Sequence, residues 1–101
     1  MELKILTHFG FRNQLKKLNE ECYELIEAVN DYEQQKAVCM EFCSELHCDK
    51  EKKHIIEEIA DVLFLINQFK ALYEITDDDL VPVMEFKRNR TLERIETKYY
   101  K

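Results

Sequence analysis

The sequence predicts an all-α fold. It holds a single Gly and a single Pro in 101 residues, too few of the residues that punctuate a turn-rich β fold. It combines 46% hydrophobic with 36% charged residues, and its apolar residues recur at steps of three and four, the spacing of one helix face.

In chain order, a short turn or helix around Ile5 comes first, and Gly10 marks the start of the next element. From residue 11 to about 32, Leu15, Leu18, Cys22, Leu25 and Val29 form an amphipathic stripe. Residues 33–47 keep a weaker helical period, with Val38, Phe42 and Leu46 on one side, as a second helix or a bent continuation of the first. The polar residues 48–53 read as a connection. A strong helix then covers about 51–73, with Ile55, Ile59, Val62, Ile66 and Phe69 on one face and Ile56, Leu63 and Lys70 beside it. A last helix reaches to about Tyr99 and carries Val83, Phe86, Arg90 and the run KRNR. Pro82 lacks the N–H that an interior helical position donates, so the N-cap expected there is Asp79 rather than Thr76. The length gives one domain spanning 1–101 with a modest core. Three to five helices in so short a chain read as half of a larger bundle, which a homodimer would complete.

The net charge of -6 argues against a nucleic-acid polymer or an anionic membrane as partner, since both call for excess Lys and Arg. The first ten residues, MELKILTHFG, are too short and polar for a signal peptide, and the longest apolar run ends well before membrane-spanning length. A cytoplasmic location is expected. Cys22, Cys39, Cys43 and Cys48 then read as reduced thiols. Cys39, Cys43 and His47, spaced by four with Cys48 following, suggest a soft-metal site, but they match no standard zinc spacing and packed thiols are the simpler reading.

The chemistry lies in the acids. EECYE at 20–24 and EEIAD at 57–61 share the form E-E-x-x-acid. At i and i+3 on a helix, side chains lie on one face about 5 Å apart, so Glu21 pairs with Glu24 and Glu58 with Asp61. Folded back antiparallel, the two helices bring four carboxylates together, an arrangement that repels itself unless a cation sits within it. An all-oxygen set selects Mg²⁺ or Mn²⁺ over zinc, and where di-iron bundles use Glu-x-x-His the fourth place in each of these motifs is an acid, Glu24 or Asp61, which disfavours iron. His54, one turn before Glu58, could approach the site but reads more simply as a solvated residue near a helix start. With 21 acids present, solvated helix faces are the competing account, and Lys17 offers Glu21 an ordinary i,i+4 ion pair. Against that account, the run Val-Leu-Phe-Leu-Ile follows Asp61, so its helix face turns apolar within one turn.

The arrangement GFRNQLKKLNEECYELIEAV, then EEIADVLFLINQF, then a final helix with KRNR resembles the MazG-like all-α nucleoside triphosphate pyrophosphohydrolases, over residues from about 9 to 90. The resemblance implies Mg²⁺ held by Glu21, Glu24, Glu58 and Asp61. It also implies hydrolysis of an NTP or dNTP between the α and β phosphates to a monophosphate and pyrophosphate, a nucleotide-pool house-cleaning reaction, in a homodimer or homotetramer. Lys87, Asn89 and Arg90 are the nearest equivalents of the family's phosphate-contacting residues, although the Lys spacing departs from the pattern. Glu20 or Glu57 is a spare carboxylate able to take a proton or position a ligand, and Phe9, Arg12 and Asn13 are expected to line the base and sugar pocket. The competing function is a non-enzymatic helical adaptor that uses its apolar stripes to hold a partner.

Overall fold

The structure, a computed structural model, describes residues 1–42 and 48–99. Among the described residues there are four helices and no strand: α1 (Glu2–Phe9), α2 (Phe11–Phe42), α3 (Asp49–Leu72) and α4 (Asp77–Tyr99). Among the described residues, no helix is long and apolar enough to cross a membrane. The chain forms two compact units, residues 1–69 and 70–101, with the end of α3 belonging to the second.

In the first unit, Gly10 separates α1 from α2. Its backbone has φ 91°, a left-handed conformation that costs glycine little and other residues more. Its N–H closes α1 onto the Leu6 carbonyl at 2.8 Å, and its own carbonyl accepts from Gln14 at 3.0 Å to open α2. The Asn13 side-chain amide also donates to the Phe9 carbonyl at 2.9 Å, satisfying a second orphan acceptor of α1.

The two expectations for residues 33–47 resolve, up to Phe42, into the continuation: α2 is one helix of 32 residues. The expected connection is corrected. Residues 49–53 are the first turns of α3, opened by a bond from the Lys52 N–H to the Cys48 carbonyl. Asp49 and Glu51 suit that place because carboxylates favour the positive end of a helix dipole.

The stripe that α2 buries also differs from the apolar one. Gln14, Glu21, Ala28 and Cys39 are buried, with Leu18, Leu25 and Tyr32 half-buried between them. Leu15, Cys22 and Val29, one position further round, are exposed. On α3 the buried residues are Glu58, Leu65 and Gln68, flanked by half-buried Ile55, Val62 and Phe69, whereas Ile59 and Ile66 face outward. Both sets step by three and four, a seam of the coiled-coil kind. The sequence period was therefore legible, but its phase follows a polar seam and leaves an apolar face uncovered.

In the second unit, α3 ends at Leu72 and Glu74 takes the left-handed conformation, with Ile75 N–H donating back to the Lys70 carbonyl at 2.8 Å. Lys70 also pairs with Asp77 at 2.8 Å. The cap of α4 is a correction: Thr76, not Asp79, precedes the first helical residue. The Asp79 N–H donates to the Thr76 hydroxyl oxygen at 3.3 Å, and the Thr76 N–H donates to the Asp79 carboxylate at 2.9 Å. This reciprocal capping box fixes the start and leaves Pro82 inside the helix, within its second turn. The helix exposes Val81, Met84, Leu92 and Ile95.

Candidate metal and nucleotide site

Three cross-helix meetings set the register of α2 on α3. Phe11 packs edge-on against Phe69 with ring centroids 5.8 Å apart, Gln14 donates an amide hydrogen bond to Gln68 at 2.8 Å, and Glu21 meets Glu58 two turns further along. Position numbers rise on one helix as they fall on the other, so the pair is antiparallel. This brings the two acidic motifs face to face.

Carboxylate oxygens of Glu21, Glu24 and Glu58 lie within 4.8 Å of one another. Glu21 and Glu58 are buried, only 5% and 8% exposed, and Glu24 is exposed. Each buried carboxylate has one partnered and one orphaned oxygen. Lys17 Nζ lies 2.9 Å from Glu21 Oε1, and His54 Nε2 lies 3.2 Å from Glu58 Oε1. Glu21 Oε2 and Glu58 Oε2 are shielded from solvent and have no hydrogen-bond partner. Leaving a buried charged acceptor unsatisfied is among the costlier things a fold can do.

The proximity is visible in the proton affinities. The Lys17 hydrogen bond holds the Glu21 carboxyl below the usual range, against the opposing effect of burial, while contact with Glu21 pushes Glu24 above it. Like charges this close disfavour ionisation of the outer member, which is the direction of the Glu24 shift. Lys17 is correspondingly held above the ordinary lysine value by its bond to Glu21.

Asp61 is exposed and lies outside the three-carboxylate cluster, but it lines, with Glu21, a cavity of about 680 Å³. Lys17, Gln14, Phe9 and Phe64 line the same cavity, which gives it an apolar, aromatic portion next to a charged one. A second cavity of about 680 Å³ opens on the other side of the acids, lined by Asp31, Lys50, Lys53, His54 and Glu57 among others. Glu20 lies against a smaller hollow of about 520 Å³ with Tyr23 and Glu24. Arg12 is exposed near Gly10, and the Asn13 amide is engaged on the Phe9 carbonyl. Lys87, Asn89 and Arg90 are exposed on α4 in the second unit, where the Arg90 guanidinium stands 5.6 Å over the Phe86 ring.

Four residues at the site were missed or underrated by sequence reasoning. His54, expected as a solvated residue, is half-exposed and touches Glu58. Lys17, read as an ordinary surface partner, holds a buried carboxylate at the cavity wall. Gln14 and Gln68 are buried across the seam, and the Gln68 Nε2 has no partner. The available signal was the heptad step that joins Gln14 to Glu21 on α2.

Two of the three described cysteines are packed in the interior. Cys39 and Cys48 are buried, neither is in a disulfide, and Cys22 is exposed. Burial, with Cys39 against it, pushes the Cys48 thiol up. The expected soft-metal set cannot be followed further, because Cys43 and His47 lie outside the described residues.

With this geometry in place, the comparison with known families decides the relationship: the model of the MazG nucleotide pyrophosphohydrolase domain matches residues 9–85. The chain belongs to the MazG family. The match spans α2, α3 and the start of α4, and so contains both acidic motifs. Searches of curated proteins and of solved structures gave no match. Membership in MazG agrees with the all-α architecture and places the acidic cluster in a nucleotide pyrophosphohydrolase domain. The residues present are chemically compatible with a metal ion: the three carboxylates approach within 4.8 Å, two of them are buried and each of these two keeps an unpartnered oxygen, and all-oxygen donors suit hard cations.

Proposed function

We propose that this MazG domain is a Mg²⁺-dependent nucleoside triphosphate pyrophosphohydrolase that converts an NTP or dNTP to the monophosphate and pyrophosphate. The observation that carries the reading is the pair of buried, unpartnered oxygens on Glu21 and Glu58 beside a cavity with an aromatic wall. An adaptor has no use for such oxygens, which lower its stability and contact no partner.

Glu21, Glu24 and Glu58 would hold the metal, with Asp61 completing the set from the cavity wall. When bound, Mg²⁺, or Mn²⁺ in its place, supplies charge neutralisation for the phosphates and acidifies water. The chain's own groups do the rest. Phe9, with Phe64 lining the same cavity, offers apolar surface to a nucleobase, and Asn13 holds the backbone of Phe9 in place. Arg12 is the nearby cation for sugar or base edges. A spare carboxylate, Glu20 or Glu57, takes the proton of the attacking water. The water oxygen then bonds to phosphorus, the bridge between the α and β phosphates breaks, and its oxygen leaves with pyrophosphate. Lys87, Asn89 and Arg90 are proposed to meet the phosphates.

The apolar face of α2 and α3 left open at Leu15, Val29, Ile59 and Leu63 supports a homodimer, or a homotetramer built from it. The assembly is proposed to act on soluble nucleotides in the cytoplasm. A panel of nucleoside triphosphates assayed for pyrophosphate release, with Mg²⁺ and with chelator, tests the function. Release with at least one nucleotide, abolished by chelator, is expected; no release with any nucleotide would refute it.

A further inference from the structure

We propose that Lys17 is an exchangeable countercharge of the metal site: it neutralises Glu21 while no cation is bound, and contacts the phosphates of the ligand once a divalent ion replaces it. This rests on the metal-site reading above and adds a residue that the acidic motifs do not contain.

The two halves of the Lys17–Glu21 pair are unlike. Glu21 is fixed and buried, whereas the Lys17 side chain is half-exposed, at 51%, and its four-carbon stem is anchored one turn away. The ammonium sits on Glu21 Oε1, while the orphaned Oε2 belongs to the same carboxylate. A divalent cation drawn to Glu21, Glu24 and Glu58 would therefore arrive within a few ångströms of a positive charge already there. The two repel, and the mobile one yields. Because the Lys17 side chain is half-exposed, water can take over its hydrogen bonds as it leaves, so releasing it opposes metal binding by only a small factor.

Where the released ammonium goes is limited by its position. Lys17 lines the cavity that holds Phe9, Phe64 and Asp61, and it is the cationic residue among the described lining residues. Lys17 and Glu24 are seven positions apart on α2, hence on one face. A phosphate drawn to the metal would therefore lie between the ion and Lys17. In the loaded site the lysine would exchange a carboxylate partner for a phosphate, retaining a charged hydrogen bond in both states. The arrangement also explains how an acidic protein avoids an unneutralised buried carboxylate when metal is scarce.

The proposal predicts two affinities that move in opposite directions. Manganese binding, measured by electron paramagnetic resonance without nucleotide, should tighten about two- to fivefold in Lys17→Gln, since a competing charge is gone. Binding of inorganic pyrophosphate to the Mn²⁺-saturated protein, measured by calorimetry, should weaken about tenfold or more in the same variant, since a charged hydrogen bond is lost. Lys17→Arg should restore both. A merely structural lysine would not shift the two with opposite sign. Unchanged or weaker Mn²⁺ binding in Lys17→Gln, or unchanged pyrophosphate binding, overturns the proposal, as does a failure of the unaltered chain to bind either. If the affinities shift as stated but no nucleoside triphosphate is hydrolysed, the hydrolase reading falls and the lysine exchange stands. If hydrolysis proceeds and the shifts are absent, the lysine proposal falls alone.

Discussion

The two halves of the α2–α3 seam follow one helical period and fill it differently. Toward the Gly10 end, the buried positions are Gln14 and Glu21 facing Glu58, Leu65 and Gln68, so four of the five are polar. Toward the other end, the buried positions are Ala28, Cys39 and Cys48. A seam can evidently be closed with small apolar groups, as the second half shows. The first half instead carries two carboxylates and two amides, and three of their atoms have no partner. Polar burial of that kind costs stability, and among the described residues it falls in one stretch, where the proposed metal site gives it a use.

The contrast can be broken most severely at Glu58. Replacing Glu58 with Gln keeps the shape and removes the charge, so nucleotide turnover should fall by at least ~100-fold, given that even outer-shell partners of a metal are worth 10- to 100-fold. The metal-free variant should at the same time melt higher, by about 1 kcal/mol, because a poorly compensated buried charge is gone. Pyrophosphate release and denaturant unfolding of the same preparation measure the two signs. A variant that lost stability and kept activity would place Glu58 among ordinary structural residues.

The amide pair sharpens the same comparison with a smaller effect. Gln14→Leu and Gln68→Leu made together should leave stability unchanged or raise it by about 1 kcal/mol, since both partners and the orphaned Gln68 Nε2 disappear at once. Gln68→Leu alone should cost about 1 kcal/mol by stranding the Gln14 amide. Chemical denaturation of the two variants beside the unaltered chain distinguishes a strained polar seam from an ordinary one.

How far the sequence anticipated this depends on which physical signal each residue carries. The helices were legible because period and composition are local properties, and Gly10 was legible because so little else in the chain can interrupt a helix. The i,i+3 spacing anticipated four converging acids, and the structure gathers Glu21, Glu24 and Glu58 but leaves Asp61 exposed outside that cluster, because spacing fixes a shared helix face and not how far round it the partner helix reaches. The phase of the seam was not legible. Leu15, Cys22 and Val29 make a plausible buried stripe, but the structure buries the neighbouring Gln14, Glu21 and Ala28 instead. Hydrophobicity ranks residues by their preference for leaving water, and says nothing of which face is reserved for a ligand and which is left for another surface. The cap of α4 went astray for a related reason. Pro82 argued for a later start, but the missing N–H was outweighed by the reciprocal bonds of Thr76 and Asp79.

That cap yields the smallest expected effect, in the second unit and far in sequence from the acids. The Thr76 backbone N–H, and then its hydroxyl, hold the Asp79 carboxyl below its ordinary value. A carboxyl depressed in the folded state contributes stability above its unfolded value, near pH 4, and loses it as pH falls through the lower folded value. Asp79→Ala should therefore be less stable than the unaltered chain at neutral pH, with the difference shrinking below about pH 4. Helix content followed against pH in both proteins checks this, and a gap that widened in acid would reverse the assignment.

The central claim is that Glu21 and Glu58 are buried with unpartnered oxygens because a hard divalent ion belongs between them. Thermal melting with and without Mg²⁺, on the unaltered chain and on the doubly substituted Glu21→Gln, Glu58→Gln protein, tests it most directly. At a hundredfold excess over its dissociation constant, Mg²⁺ should stabilise the unaltered chain by about 2.7 kcal/mol, which is about 10 °C or more for a domain of this size, and should leave the double variant where it was. A melting point indifferent to Mg²⁺, or a double variant that rises as far as its parent, would contradict the account.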